Sequence, residues 1–355
     1  MDIKITRTTQ PKVKPPEAEL GFGKFFSDHL FAMDFTEGRG WHDARIEPYA
    51  PFHVDPAAAV FHYGQAMFEG SKAFRGADGR IRLFRPADHA RRMAHGAPRL
   101  CMPTPPQEDM VEAVRALVKI DADWVPKSEG TSLYLRPTLI ATEGFLGVRP
   151  AKSYRYFVIA SPAGNYFGGK GLKSVRIWVE THEVRAPRGG LGATKAGANY
   201  AASLHSAMEA KKNGFDQVLW LDGKDHEFVE EVGTMNVCFL LGNTLVTPPL
   251  SDSILAGVTR DSVLPLARDL GLKVEERPIS IKELKAGHQA GTLKEVFGTG
   301  TAAVISPVGE LSFTGEQLVI NGGKPGPIAE ALYAEIGAIQ RGAKPDKHGW
   351  LVTLD

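Results

Sequence analysis

Cysteine is almost missing from this chain: Cys101 and Cys238 are the only two in 355 residues, with no CxxC pair and no Cys/His cluster around either. Neither a disulfide framework nor a structural zinc site is compatible with that usage, so two reduced, buried thiols and no bound metal are expected. Long apolar runs are also lacking; no stretch approaches the roughly 18 residues of a membrane span, and no membrane partner is expected. Nor is there an excess of one charge: 42 Lys and Arg against 41 Asp and Glu leave a formal net charge of +1. Such a balance offers no electrostatic footprint for nucleic acid or an anionic lipid surface. Residues 1–16 contain no apolar h-region, read as a loose arm, and point to a cytoplasmic protein.

What the chain does have is length and ordinary globular composition, enough for more than one hydrophobic core. The densest group of turn formers, Ser161-Pro162-Ala163-Gly164-Asn165-Tyr166-Phe167-Gly168-Gly169-Lys170-Gly171, marks the expected join. A small N-terminal domain over 1–163, a connecting loop over 164–174 and a larger C-terminal domain over 175–355 follow. The join also approaches a nucleotide-binding loop, Gly164 and then Gly169-Lys170. However, Gly171 stands where magnesium ligation needs Ser or Thr, and a strand pattern follows instead of a helix. In the first part, short strands are expected within 21–55, a helix within 56–70, a hairpin around Gly76-Ala77-Asp78-Gly79, helices from Pro86 towards Leu100 and over 108–123, and strands over 132–140 and 154–160. In the second part, strands over 175–180 and 217–221, a helix over 201–213, a hairpin turning at Gly242-Asn243 and a helix from Leu255 to Leu270 complete an α+β pattern.

One stretch can carry chemistry: Gly192-Ala193-Thr194-Lys195-Ala196-Gly197-Ala198-Asn199-Tyr200-Ala201-Ala202. Small residues around a single lysine leave its amine open to a carbonyl, and desolvation or a neighbouring cation frees its lone pair for imine formation. On these residues alone a solvated lysine on a glycine-rich loop is the commoner arrangement. Two further turns are rich in N–H and hydroxyl donors, Leu255-Ala256-Gly257-Val258-Thr259 and Phe297-Gly298-Thr299-Gly300-Thr301-Ala302; each is an anion seat or a plain cap. Arg92 is a surface cation or an anion ligand. Together with Glu231, these pieces meet the needs of pyridoxal phosphate: an imine lysine, a phosphate seat, a phenolic-oxygen donor and a carboxylate for the pyridine nitrogen.

Beyond these pieces, a series of ordered motifs resembles the branched-chain amino acid aminotransferases of the fold-type IV pyridoxal-phosphate class. They are Phe68-Glu69-Gly70, Arg82-Leu83-Phe84-Arg85-Pro86, Gly130-Thr131-Ser132-Leu133-Tyr134-Leu135-Arg136-Pro137, Lys195 to Tyr200, Gln217-Val218-Leu219-Trp220-Leu221, Glu231-Val232-Gly233-Thr234-Met235-Asn236 and Phe297 to Ala302. The resemblance runs from about Phe22 to near Trp350. It implies a small α/β domain beside a larger domain with pseudo-barrel β-structure and surrounding helices, and pyridoxal 5′-phosphate as cofactor. The implied reaction is exchange of an amino group between L-leucine, L-isoleucine or L-valine and 2-oxoglutarate.

By the same resemblance, Lys195 is the Schiff-base lysine and the proton shuttle, Tyr200 donates to the phenolic oxygen, and Glu231 partners the pyridine nitrogen. Arg92, Val258, Thr259 and Thr301 hold the phosphate, with Arg91 a rival to Arg92. Phe68, Tyr134 and Tyr166, with Phe22 beside them, line the substrate's apolar side chain; Tyr63, Arg136, Thr234 and Ala302 take its carboxylates. Tyr63 and the Tyr134 loop can reach a second subunit's site, so a homodimer is implied, with small amino acids and 2-oxo acids as its other partners. The chain departs from the vertebrate mitochondrial members at Ala303 and Ser306, where those carry a redox-active CxxC. D-amino acid aminotransferases and aminodeoxychorismate lyases share the fold, and a non-catalytic, metabolite-binding protein that retains the cofactor fold is the rival of another class.

Overall fold

The computed structural model describes residues 1–164 and 171–354. They form two compact units: 1–164 with 194–197 and 337–354 in one, and 171–193 with 198–336 in the other. The chain therefore does not divide at a single connection. The lysine stretch joins the first unit through a bridge of Ala196 to Met67 and a hydrogen bond from Phe68 N–H to Lys195 O at 3.1 Å. Tyr166 and most of the near nucleotide-binding loop lie outside the described residues.

The first unit is built on a nine-stranded sheet. Its strands are β1 (Lys4–Ile5), β2 (His29–Thr36), β3 (Gly40–Pro48), β4 (Ala66–Phe68), β5 (Ser71–Arg75), β6 (Ile81–Phe84), β7 (Ser132–Ala141) and β8 (Ser153–Ala163), closed by a strand from the chain's end. The order is β1-β3-β2-β8-β7-β5-β6, with β4 also on β7. On β7, Leu133, Leu135, Leu139 and Ala141 alternate into the core while Arg136 and Thr138 face the other way, as the two-residue period of a strand requires. Three α-helices lie wholly in this unit, α1 (Ala59–Tyr63), α2 (Pro86–Gly96) and α3 (Gln107–Ile120). Met110, Ala113, Val114, Leu117 and Val118 form the buried stripe of α3, and each large apolar side chain so buried contributes about 1.5–3 kcal/mol.

Three expectations for this unit are corrected. The helix within 56–70 ends at Tyr63, because Gly64 turns left-handed (φ 60°), and Ala66–Phe68 then pairs antiparallel with Thr138 to Ile140. The N-terminal arm is not loose: Lys4 and Ile5 pair parallel with Arg45 and Ile46, and Thr8 N–H donates to His29 Nε2 at 2.9 Å. Of the two thiols only Cys238 is buried; Cys101 is exposed just after a turn of 3-10 helix.

The second unit has a nine-stranded sheet of its own, made of β9 (Val175–Val179), β10 (Gln217–Leu221), β11 (Val229–Val232), β12 (Asn236–Leu241), β13 (Thr244–Thr247), β14 (Lys273–Glu276), β15 (Leu293–Gly300), β16 (Val304–Phe313) and β17 (Glu316–Val319). The order is β11-β10-β9-β16-β15-β12-β13-β14, with β17 on β16. Val237, Phe239, Val246 and Val296 are among the residues of its core. The helices that follow are α4 (Gly197–Ala202), α5 (Leu204–Lys212), α6 (Val258–Asp269), α7 (Ile281–Gln289) and α8 (Pro327–Gln340). In place of the single helix expected over 201–213 there are two, because Ser203 bonds Tyr200 O through both its N–H (3.2 Å) and its Oγ (2.8 Å), a local competition with the helical ladder. The final strand, β18 (Leu351–Leu354), pairs antiparallel with β6.

Candidate active site

Lys195 is half-buried between the buried Thr194 and Ala196. Its carbonyl accepts the Phe68 N–H, and the preceding Thr194 is anchored by its hydroxyl on Gly96 O at 3.3 Å. The amine lies 4.8 Å from the centroid of the Phe68 ring, and Arg136 stands over the same ring at 4.5 Å. Arg136 Nη2 also donates to the Tyr134 hydroxyl at 3.1 Å, and Phe22 meets the Tyr134 ring edge-on at 4.9 Å. The first unit thus brings Lys195, Phe68, Tyr134, Arg136 and Phe22 together. Tyr63 stands apart in α1, 41% exposed, its hydroxyl on Leu146 O.

Beside Phe68, the carboxylate of Glu69 is 1% exposed and takes one edge of a guanidinium with both its oxygens: Arg92 Nε donates to Oε1 and Arg92 Nη2 to Oε2, each at 2.7 Å. His89 Nδ1 reaches Oε2 at 3.0 Å. Burial by itself would raise the Glu69 pKa, but the Arg92 charge and these donors hold the carboxyl well below the usual carboxylate range. Burial lowers the pKa of His89 despite Glu69, and the charges of Arg92 and Lys195 lower it further. Next to the carboxylate is a cavity of about 20 Å³ lined by Glu69, Ser71, His89 and Tyr156 among others. Arg91, in contrast, is 65% exposed and pairs with Asp88.

The second unit orients a carboxylate equally firmly. Glu231, 3% exposed, has Arg185 Nε 2.7 Å from Oε2, and its Oε1 accepts Leu255 N–H at 2.9 Å and Asn236 Nδ2 at 3.4 Å. Asn236 donates as well to Leu255 O at 2.9 Å and lies opposite Thr299 across β12 and β15. A Cβ on Gly257 would come 1.9 Å from Asn236 Oδ1, so a side chain at the entry to α6 would displace the Asn236 amide from Glu231. Val258 and Thr259, both buried, form the first turn of α6, where a helix cannot satisfy its own N–H groups and its dipole favours an anion. The Thr299 hydroxyl is buried without a hydrogen-bond partner among the described residues, two positions before Thr301. Thr301 and Ala302 lie in the turn between β15 and β16, Tyr200 is half-buried in α4, and Thr234 is exposed in the turn after β11.

Glu230, next to Glu231 on β11, is a different kind of acid. It accepts the Ser253 hydroxyl on Oε1, whereas its buried Oε2 has no hydrogen-bond partner among the described residues. Burial raises its pKa, against the effects of Ser253 and Arg185. Sequence reasoning had no role for Arg185, Asn236 or Glu69. The last two lie inside motifs that were legible, while Arg185 sits in no pattern at all.

Residues 66–311 match the family described as amino-transferase class IV. The chain is 49% identical over 352 residues to branched-chain-amino-acid transaminase 1 of Bacillus subtilis, covering 99% of each. It superposes on the Escherichia coli branched-chain amino acid aminotransferase with a TM-score of 0.76 at 26% identity, covering 91% of this chain and 99% of that one. The branched-chain amino acid aminotransferase of Thermobaculum terrenum, in its PLP-bound holo-form, also gives 0.76 at 26% identity, over 92% of this chain and 98% of that one. The motif order, the two sheet units and these likenesses agree: the chain belongs to the class IV, fold-type IV aminotransferases, in their branched-chain-amino-acid aminotransferase branch.

Proposed function

We propose that this protein transfers the amino group of L-leucine, L-isoleucine or L-valine to 2-oxoglutarate, giving branched-chain 2-oxo acids and L-glutamate, with pyridoxal 5′-phosphate as cofactor. The observation that carries the reading is Lys195, whose amine rests against the Phe68 ring, 4.8 Å from its centroid, in a chain 49% identical along nearly its whole length to a branched-chain transaminase. The residues present fit the cofactor. Glu231 is a buried carboxylate already oriented by three groups, and a carboxylate has about four acceptor positions.

The cofactor, when bound, supplies an electron sink for the charge left as the substrate's α-proton departs. Everything else is done by side chains and main-chain groups of this protein. Lys195 holds the cofactor and moves the proton between the substrate α-carbon and the cofactor's C4′, as base and then acid. Glu231 keeps a proton on the pyridine nitrogen, and Tyr200 donates to the phenolic oxygen. Arg92, the first-turn N–H groups at Val258 and Thr259, and Thr301 bind the phosphate. Phe68, Tyr134 and Tyr166 receive the branched side chain by burial, at about 25 cal/mol per Å². Arg136, Tyr63, Thr234 and the Ala302 main chain receive carboxylates. The working form is a cytoplasmic homodimer; the exposed apolar side chains Phe61, Tyr63, Phe145, Leu146 and Val148 of the first unit support an interface.

Absorbance and a donor panel test this reading. Cofactor-loaded protein should show a visible band that Lys195→Ala abolishes, and should turn over leucine, isoleucine and valine with 2-oxoglutarate by ping-pong kinetics. Turnover of D-alanine in preference to these would move the assignment to the D-amino acid enzymes, and a colourless wild type would end it.

A further inference from the structure

We propose that Glu69 is a positioning residue for the cofactor's phosphate: its buried carboxylate, braced by His89, fixes the Arg92 guanidinium in the orientation that receives the phosphate. The proposal rests on the reading of Arg92 as a phosphate ligand. Arg92, within α2, has several rotatable bonds, and its cost of ordering falls on ligand binding unless the protein meets it beforehand. Here it is met beforehand. Two parallel N–H to O bonds of 2.7 Å use Nε and Nη2 on one edge of the plane, the geometry that makes a guanidinium–carboxylate pair directional.

Glu69 is in turn held in place. His89 Nδ1 at 3.0 Å and the Gly70 N–H at 3.2 Å both contact Oε2. With burial and neighbouring cations keeping His89 neutral at pH 7, its Nδ1 carries a proton to donate. Arg92 is thereby prevented from folding back towards solvent, where its neighbour Arg91 lies.

Apoenzyme titrations with pyridoxal 5′-phosphate and with pyridoxal, which lacks the phosphate, test this, with absorbance and intrinsic fluorescence as readouts. Glu69→Gln should weaken pyridoxal 5′-phosphate by about ten- to a hundredfold, the range that loss of an orienting partner costs a metal-ligating side chain, and should leave pyridoxal unchanged. Equal loss for both ligands would make Glu69 merely structural and overturn the proposal. Arg92→Gln separates the underlying reading: if it does not lower the preference for the phosphorylated ligand, Arg92 is not a phosphate ligand, whatever Glu69 does. The double variant Glu69→Gln/Arg92→Gln leaves no unpaired buried charge and keeps the test open if the single Glu69 variant does not fold. Because Glu69 acts through Arg92, the double variant should bind no more weakly than Arg92→Gln alone; further loss overturns the proposal.

Discussion

Adjacent acids on one strand can be given very different surroundings, and β11 does this with Glu230 and Glu231. Glu231 is met by a guanidinium, a main-chain N–H and an amide, whereas Glu230 is buried with one oxygen lacking a partner among the described residues. The raised pKa of Glu230 means that the folded protein binds its proton more tightly than the unfolded chain does. Between the ordinary glutamate value of about 4.3 and the raised one, the native state therefore carries more protons, and stability falls as pH rises through that window. Glu230→Gln should accordingly raise the thermal unfolding midpoint at pH 8, with the advantage over wild type closing as pH falls below about 4.3. An advantage that did not depend on pH would show that packing, not ionisation, is responsible.

Strands β4 and β5 both pair with β7, and Gly70 lies in the connection between them, against Tyr134 of β7. A Cβ there would come 1.9 Å from the Tyr134 hydroxyl, the same hydroxyl that Arg136 contacts at 3.1 Å. Gly70→Ala must therefore displace Tyr134, and Arg136 with it. A loss of about 1–3 kcal/mol is expected in urea unfolding, the usual cost of overpacking. Steady-state kinetics should show KM rising for glutamate and 2-oxoglutarate more than for leucine, because these two carry a second carboxylate and Arg136 is the guanidinium that would move with Tyr134. Equal changes for all substrates would remove Arg136 from carboxylate recognition.

The first unit is completed by the last residues of the chain. β18 covers the edge of β6, and Trp350 packs on Phe84 with ring centroids 5.7 Å apart while Arg85 stands over the indole at 5.3 Å. Deleting residues 350–355 should uncover β6 as an unpaired edge. Calorimetry should then show a lower midpoint for the transition of the first unit, with increased aggregation, and little change in that of the second. A uniform fall of both would mean that the two units unfold as one.

Much of this was present in local pattern. The stripe of α3, the alternation along β7, the glycine turns of the hairpins and the ordered motifs around Lys195 and Glu231 are determined by residues close together in the chain, and periodicity or turn chemistry makes them legible. The same sequence read residues 56–70 as one helix, because the composition of 59–68 suits a helix; pairing with Thr138 to Ile140 makes 66–68 a strand instead. Only tertiary structure could decide which groups brace the chemical ones. Arg185 on Glu231, Asn236 against Gly257, and Glu69 with His89 on Arg92 are contacts between segments that the fold brings together. A buried charge must find its partner in space, and no rule of spacing along the chain says where that partner will be.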